Sequence, residues 1–168
     1  MLQLVIGNKN YSSWSMRPWV LMRQFDIAFD EISLRFDFTP GSAFYRELAR
    51  YTPAGRVPVL LIDGFPVWDT LAIAETLADM HPTLALWPPD LRARARARSV
   101  CAEMHSGFQA LRNHFPMNIE ARLPEVGQRV LAAPVQQVQV DAVQAEPLAA
   151  AFAGSDGALA AGVVRIDL

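Results

Sequence analysis

The stretch Val57-Pro58-Val59-Leu60-Leu61-Ile62-Asp63-Gly64-Phe65-Pro66-Val67-Trp68-Asp69-Thr70 decides how the first half of this chain is read. Val57 to Ile62 is an apolar run of strand length with a proline near its start. Asp63-Gly64 is the strongest short hairpin signal in the sequence, because a tight turn between strands needs residues that accept positive φ. Phe65 to Trp68 is then the return strand. Asp69 or Thr70 can cap a helix by accepting from its free N–H groups. That helix runs from Leu71 to Met80, buries Ile73 and Leu77, and is closed by His81-Pro82.

Working back from this stretch, Leu2 to Ile6 is a short apolar run ended by Gly7-Asn8, as expected of a buried strand and its turn. Ser12 to Ser15 is a hydroxyl cluster of the kind that caps helices, followed by Trp19, Val20, Met22 and Phe25 on one helical face. Phe29 to Phe36 alternates as a second strand. Thr39-Pro40-Gly41-Ser42 is a loop, and Phe44 to Tyr51 is a short helix. A βαβ unit, a connecting helix and a ββα unit imply an α/β fold whose mixed sheet has an antiparallel edge.

Working forward, residues 83–89 form a proline-rich linker with an apolar plug, Leu86-Trp87. Beyond it the pattern is helical only. Asp90 to about Asn113 is read as one helix, and Leu123 to about Ala151 as a second helical region interrupted by Pro134 and Pro147. The expected domains are therefore 1–82, of mixed α/β type, and 90–168, all-helical.

Composition narrows the function classes. The 168 residues are 52% hydrophobic and 19% charged, enough for a core and unlike a disordered chain. A net charge of -2 gives no reason to expect nucleic acid or an anionic membrane as partner. Arg92, Arg94, Arg96 and Arg98 spread over opposite faces of a helix, so they read as solvated rather than as a nucleic-acid stripe. The single cysteine, Cys101, excludes an intrachain disulfide framework and favours a reducing compartment. Within its helical pattern it reads as a small buried hydrophobe. With no signal-peptide pattern after Met1 and no apolar run of membrane length, the expectation is a cytoplasmic protein. His105 and His114 are too isolated to suggest a metal site, so no metal is expected.

Three places carry chemistry. A serine at a helix N-terminus stands beside unpaired N–H groups and the positive end of the helix dipole, where an anion such as a thiolate is stabilised. Arg17, one turn on, adds positive charge; the competing reading is a plain N-cap with loop hydroxyls around it. Pro58 in an apolar strand is explained by a cis Val57-Pro58 bond, which turns the Val57 peptide groups away from the sheet, or by an edge strand. The helix start at Asp69-Thr70 would also receive a carboxylate.

Together, Asn10 to Trp19, Pro53 to Leu60 and Trp68 to Ile73 resemble the glutathione S-transferase family in order and spacing. The Ser-Ser-x-Ser-x-Arg pattern is most similar to its serine-type, zeta-like (maleylacetoacetate isomerase-like) bacterial branch. The resemblance implies a thioredoxin-like N-terminal domain followed by an all-α domain, a homodimer, and a role such as detoxification. It implies that Ser12 or Ser13 activates the glutathione thiol, with Ser12 favoured, and that Ser15 and Arg17 border the glutathione site. Val57, set by Pro58, would pair with the cysteinyl part. Asp69 would hold the γ-glutamyl amino group, Thr70 its carboxylate, and Arg56 the glycyl carboxylate. Trp14, His105, Phe108 and Arg112 are candidates for a second-substrate site, against ordinary packing or surface roles. Thr70 replaces a commoner serine, and Trp14 stands where zeta members often carry cysteine, which weighs against zeta-specific isomerase chemistry.

The implied function is conjugation of glutathione to a small hydrophobic electrophile, or glutathione-assisted isomerisation. The alternative is a non-catalytic, glutathione-transferase-like binding protein. A thiol reductase ranks last, since no cysteine stands at the first helix start. The family's helical domain is usually longer and includes a Ser/Thr-x-x-Asp capping box on an aromatic helix. Here Gly154 to Leu168 shows neither, and a shortened, truncated or frame-altered C-terminal domain is expected.

Overall fold

The computed structural model describes residues 1–122. It contains β1 (Leu2–Ile6), α1 (Ser13–Gln24), β2 (Asp30–Ser33), α2 (Ala43–Leu48), β3 (Val59–Ile62), β4 (Phe65–Trp68), α3 (Thr70–Met80), α4 (Leu91–Ser106) and α5 (Gln109–His114). The strands form one mixed sheet in the order β2-β1-β3-β4. β1 pairs with β2 in parallel and with β3 in antiparallel, and β3 and β4 form the antiparallel hairpin. The mixed sheet and antiparallel edge thus follow the sequence pattern. Asp63 and Gly64 take φ of 49° and 85° at the hairpin turn, the left-handed conformation for which this dipeptide is suited.

The sheet is covered on both faces, which is why β1 and β3 are nearly continuous apolar runs rather than alternating ones. Period-two geometry sends Leu4, Ile6 and Leu60 to one side, where they meet Met22 of α1, Ile73 and Leu77 of α3, and Leu86. Val5, Val59 and Leu61 point to the other side, against Leu34 and against Phe44 and Leu48 of α2. Leu86 joins the first cluster, so the expected linker plug is seated in the core.

Four expected elements are corrected in extent. α2 ends at Leu48 rather than Tyr51. β2 is Asp30–Ser33 rather than Phe29 to Phe36, because it pairs only with the four residues Gln3 to Ile6. β3 begins at Val59, after the proline that cannot donate to a ladder. The helix expected from Asp90 to about Asn113 is two helices. It breaks at Gly107, a weak helix former, and at Phe108, whose φ of 59° is left-handed. Phe108 therefore leaves the helical register assumed for His105, Phe108 and Arg112. The helical region expected from Leu123 and the shortened C-terminal end lie outside the described residues.

Candidate functional site

Strand register brings the candidate residues to one edge of the sheet. Val5 pairs with Val59, and Val59 with Trp68. The carboxyl end of β1, the amino end of β3 and the carboxyl end of β4 therefore lie side by side. From these three ends continue the Gly7–Ser12 turn into α1, the Val57-Pro58 bond, and the Asp69-Thr70 start of α3. Two helix N-termini thus rise from the same edge, each with backbone N–H groups left over and a positive dipole end.

At the first, Ser12 is the N-cap of α1. Asn8 shapes the turn: its carbonyl accepts from the Tyr11 and Ser12 N–H groups at 3.0 and 2.8 Å, and its Oδ1 accepts from Phe36 N–H at 2.9 Å. Ser12 Oγ lies 2.7 Å from Ser15 Oγ and 3.4 Å from Ser15 N. Ser15 Oγ accepts the Gly7 N–H at 3.1 Å. Ser15 has no exposed surface and Ser12 is 6% exposed. Ser15, expected at the border of the ligand site, instead lies in the core beneath Ser12. Ser13, the first residue of α1, is half-buried.

Glycine at position 7 leaves room for the Phe36 ring. A Cβ would fall 2.2 Å from the Phe36 ring. Residues past α5 return to the same turn, with Ile119 and Glu120 N–H groups donating to Asn10 O and Oδ1 at 3.3 and 2.9 Å.

The Val57-Pro58 bond is cis, and Pro58 is buried without being in an edge strand. Sheet pairing of β1 with β3 stops at Val59, so the half-buried Val57 lies outside the ladder. Arg56 beside it is exposed.

At the second helix start, Asp69 is the N-cap of α3, and its Oδ1 accepts the Leu71 N–H at 2.9 Å. Its φ is 79°, a left-handed conformation unusual for a residue with a Cβ. Its other oxygen, Oδ2, is 3.1 Å from His105 Nε2. Thr70 is buried.

Residues of α1, α4 and α5 gather around Trp14. The Arg17 guanidinium lies 4.0 Å from its ring centroid and that of Arg112 5.1 Å. His105 packs edge-on against it at 5.3 Å. Such cation–π contacts add order-of-1 kcal/mol attractions and fix the indole between two charges. Burial, and then the like charge of Arg112, lower the Arg17 pKa, against a smaller opposite pull from Cys101; the guanidinium stays cationic at neutral pH. Burial pushes the Cys101 thiol up, outweighing Arg17, with Glu75 adding to the rise. Cys101 is half-buried rather than buried. Three of the four second-substrate candidates, Trp14, His105 and Arg112, therefore meet; Phe108 caps α5 in the kink instead.

The sequence reading missed the depth of Ser15, the Gly7 and Asn8 contacts, and the Asp69–His105 pair. It also missed Glu31, which accepts from Trp19 Nε1 at 2.8 Å and pairs with Lys9 at 2.9 Å, tying α1 to β2. The solvated reading of the arginines holds for Arg92, Arg96 and Arg98, all exposed. Arg98 forms a two-pronged pair with Glu75 at 2.8 and 2.7 Å. Among the described residues there is no cluster of three or more His, Cys, Asp or Glu able to hold a metal, and no helix long and apolar enough to cross a membrane.

Comparison with known proteins gives a consistent picture. Residues 11–80 match the family model "Glutathione S-transferase, N-terminal domain". The chain is 31% identical over 101 residues to a probable maleylacetoacetate isomerase of Caenorhabditis elegans, covering 60% of this chain and 45% of that protein. It is 34% identical over 101 residues to the maleylacetoacetate isomerase of Rattus norvegicus, covering 60% and 46%. The chain thus spans less than half the length of these relatives. Among solved structures, a glutathione transferase homologue from Burkholderia with bound glutathione is 26% identical with a TM-score of 0.54, covering 66% of this chain and 56% of that one. The apo form of human glutathione-S-transferase T1-1 is 25% identical, also with a TM-score of 0.54, over 63% and 43%.

Proposed function

Because residues 11–80 match the glutathione S-transferase N-terminal domain model, we propose that this protein binds glutathione at the sheet edge and uses its thiolate on a small electrophile. The observation that carries the reading is the placement of a serine-capped helix start, a cis-proline loop and an acid-capped helix start on one edge of one sheet. Each offers what one part of the tripeptide needs. Ser12, or Ser13 beside it, donates a hydrogen bond to the sulfur, and the α1 dipole adds to it; both favour the charged thiolate. Val57, outside the ladder, has peptide groups to pair with the cysteinyl backbone. Asp69 is an anion suited to the γ-glutamyl amino group, the α3 start at Thr70 receives its carboxylate, and the exposed Arg56 beside Val57 is the cation for the glycyl carboxylate.

The thiol proton leaves to solvent as the complex forms. The sulfur lone pair then makes the new carbon–sulfur bond. The displaced electron pair departs with a leaving group or, in an addition, takes up a proton; release of the thiolate after bond rotation completes an isomerisation. The Trp14, His105 and Arg112 cluster, bordering the serine turn through Trp14, is the proposed place for the electrophile. A homodimer, a cytoplasmic location and a helical domain from residue 90 on belong to the same proposal.

Titration of the full chain with glutathione, followed by thiolate absorbance against pH, tests it. A bound thiol with a pKa clearly below the roughly 8.5 of a free one is expected. Loss of that shift in Ser12→Ala or Ser13→Ala assigns the donor. Binding with no shift would replace the transferase by a non-catalytic binding protein, and no binding at millimolar glutathione would overturn both.

A further inference from the structure

We propose that Ser15 is a positioning residue for the thiolate: its buried hydroxyl relays a hydrogen bond from the Gly7 N–H to Ser12 Oγ and so turns the Ser12 proton outward, toward the bound sulfur. The proposal rests on the reading of Ser12 as the thiol-activating group and deepens it.

Each hydroxyl has one hydrogen to give and lone pairs to accept with. The two oxygens are 2.7 Å apart, so one donates to the other. If Ser12 donates, its only proton is spent inside the protein. The Ser15 proton is then left without an acceptor among the described residues, at a position with no exposed surface, which is costly. If Ser15 donates, every group is used. Ser15 Oγ accepts from Gly7 N–H at 3.1 Å and gives its proton to Ser12 Oγ. Ser12 Oγ also lies within reach of the Ser15 N–H at 3.4 Å. Its own proton then has no partner among the described residues and is free for an acceptor at the sheet edge; Ser12, unlike Ser15, keeps a small exposed area.

Donation into Ser12 Oγ also makes its hydroxyl a stronger donor, because hydrogen bonds in a chain polarise one another. The chain begins at a backbone N–H fixed by the end of β1 and passes through a side chain locked in the core. The direction of the last proton is therefore set by the fold before any ligand arrives.

The test is a double-mutant cycle on the full chain, with Ser12→Ala, Ser15→Ala and the pair, read by glutathione affinity and by the pKa of the bound thiol. Ser15→Ala is expected to hold glutathione within about twofold of the parent while the bound thiol pKa rises by about one unit, a tenfold loss of thiolate at a given pH. The double variant is expected to match Ser12→Ala alone, because Ser15 acts only through Ser12. Ser15→Cys keeps the shape with a weaker donor and is expected to fall between Ser15→Ala and the parent; it carries the test if Ser15→Ala does not fold. An unchanged bound-thiol pKa in Ser15→Ala or Ser15→Cys, with the shift lost in Ser12→Ala, overturns the relay and leaves the thiolate reading standing. Equal and additive effects of the two alanine changes also overturn it. No depressed pKa in the parent overturns the thiolate reading itself.

Discussion

The two helix starts at the sheet edge solve the same capping problem with opposite chemistry. At α1 a neutral hydroxyl, Ser12, caps the helix and is backed by a second, fully buried hydroxyl, Ser15. At α3 a carboxylate, Asp69, spends one oxygen on the cap and holds the other toward His105. The first offers a donor to an anion, and the second offers an anion to a cation. A tripeptide with a thiol at its centre and an amino-acid group at one end asks for both at once. In the proposed function a cap's stabilising role and its ligand role are separate: one lone pair serves the helix, and what remains is offered to the ligand.

The sharpest way to break this comparison is Ser12→Ala. Conjugation is expected to fall by about a hundredfold or more in kcat/KM, the scale of losing one donor to a developing or bound anion. Urea unfolding is expected to show a loss of about 1 kcal/mol from the missing cap. Full activity in this variant, with loss in Ser13→Ala, would move the donor role by one residue.

Asp69→Asn is the matching change at α3. Its amide oxygen still caps, but the anion is gone, so KM for glutathione is expected to rise about tenfold with kcat retained, as for a lost charge-assisted hydrogen bond. Asp69→Gly sharpens the separation further. It suits the φ of 79°, so thermal stability is expected to suffer less than in Asp69→Ala while the KM defect stays. A KM unchanged in all three would remove Asp69 from the site.

Acid unfolding probes how α1 is held. Burial pushes the Glu31 carboxyl up, but hydrogen bonds from Lys9 and Trp19 and the charges of Lys9 and Arg23 outweigh it, so its pKa lies below the usual value. A folded-state pKa below the unfolded one adds stability above the unfolded value, and this is lost as pH falls through the folded one. Glu31→Gln is expected to be less stable than the parent near neutrality by about 0.5 kcal/mol or less, given partial exposure. The gap is expected to close as pH falls below about 4. Urea midpoints against pH check this.

The smallest effect is at Cys101, behind Arg17. Its raised thiol pKa predicts alkylation by iodoacetamide at pH 8 several-fold slower than a free thiol, because the thiolate is the nucleophile. Labelling followed by mass spectrometry measures it.

Much of this was legible in the sequence because it is local. Leu2 to Ile6 and Val59 to Ile62 announce buried strands by unbroken apolar character. Asp63-Gly64 announces its turn by backbone tolerance, and Ser12 to Ser15 and Asp69-Thr70 announce helix starts by short oxygen-bearing side chains, the structure then naming Ser12 and Asp69 as the caps. The break at Gly107-Phe108 was only faintly legible, as one late glycine in a helical pattern, and Phe108's left-handed φ shows where the helix ends. The meeting of His105 with Asp69, 36 residues apart in sequence, carries no local signal at all.

The α/β order, the hairpin and the two helix starts are written in local sequence, which also flags Pro58 as unusual while leaving open whether its bond is cis; the structure shows that it is. These depend on interactions within a few residues, or on a residue's own backbone limits. Only the tertiary structure decided that Ser15 lies beneath Ser12 with no solvent contact, and that Trp14 stands between Arg17 and Arg112. It also decided that Asp69 divides its oxygens between a helix and a histidine. Burial and long-range contacts are set by how the sheet edge and the helices pack, and one residue's identity does not carry that information.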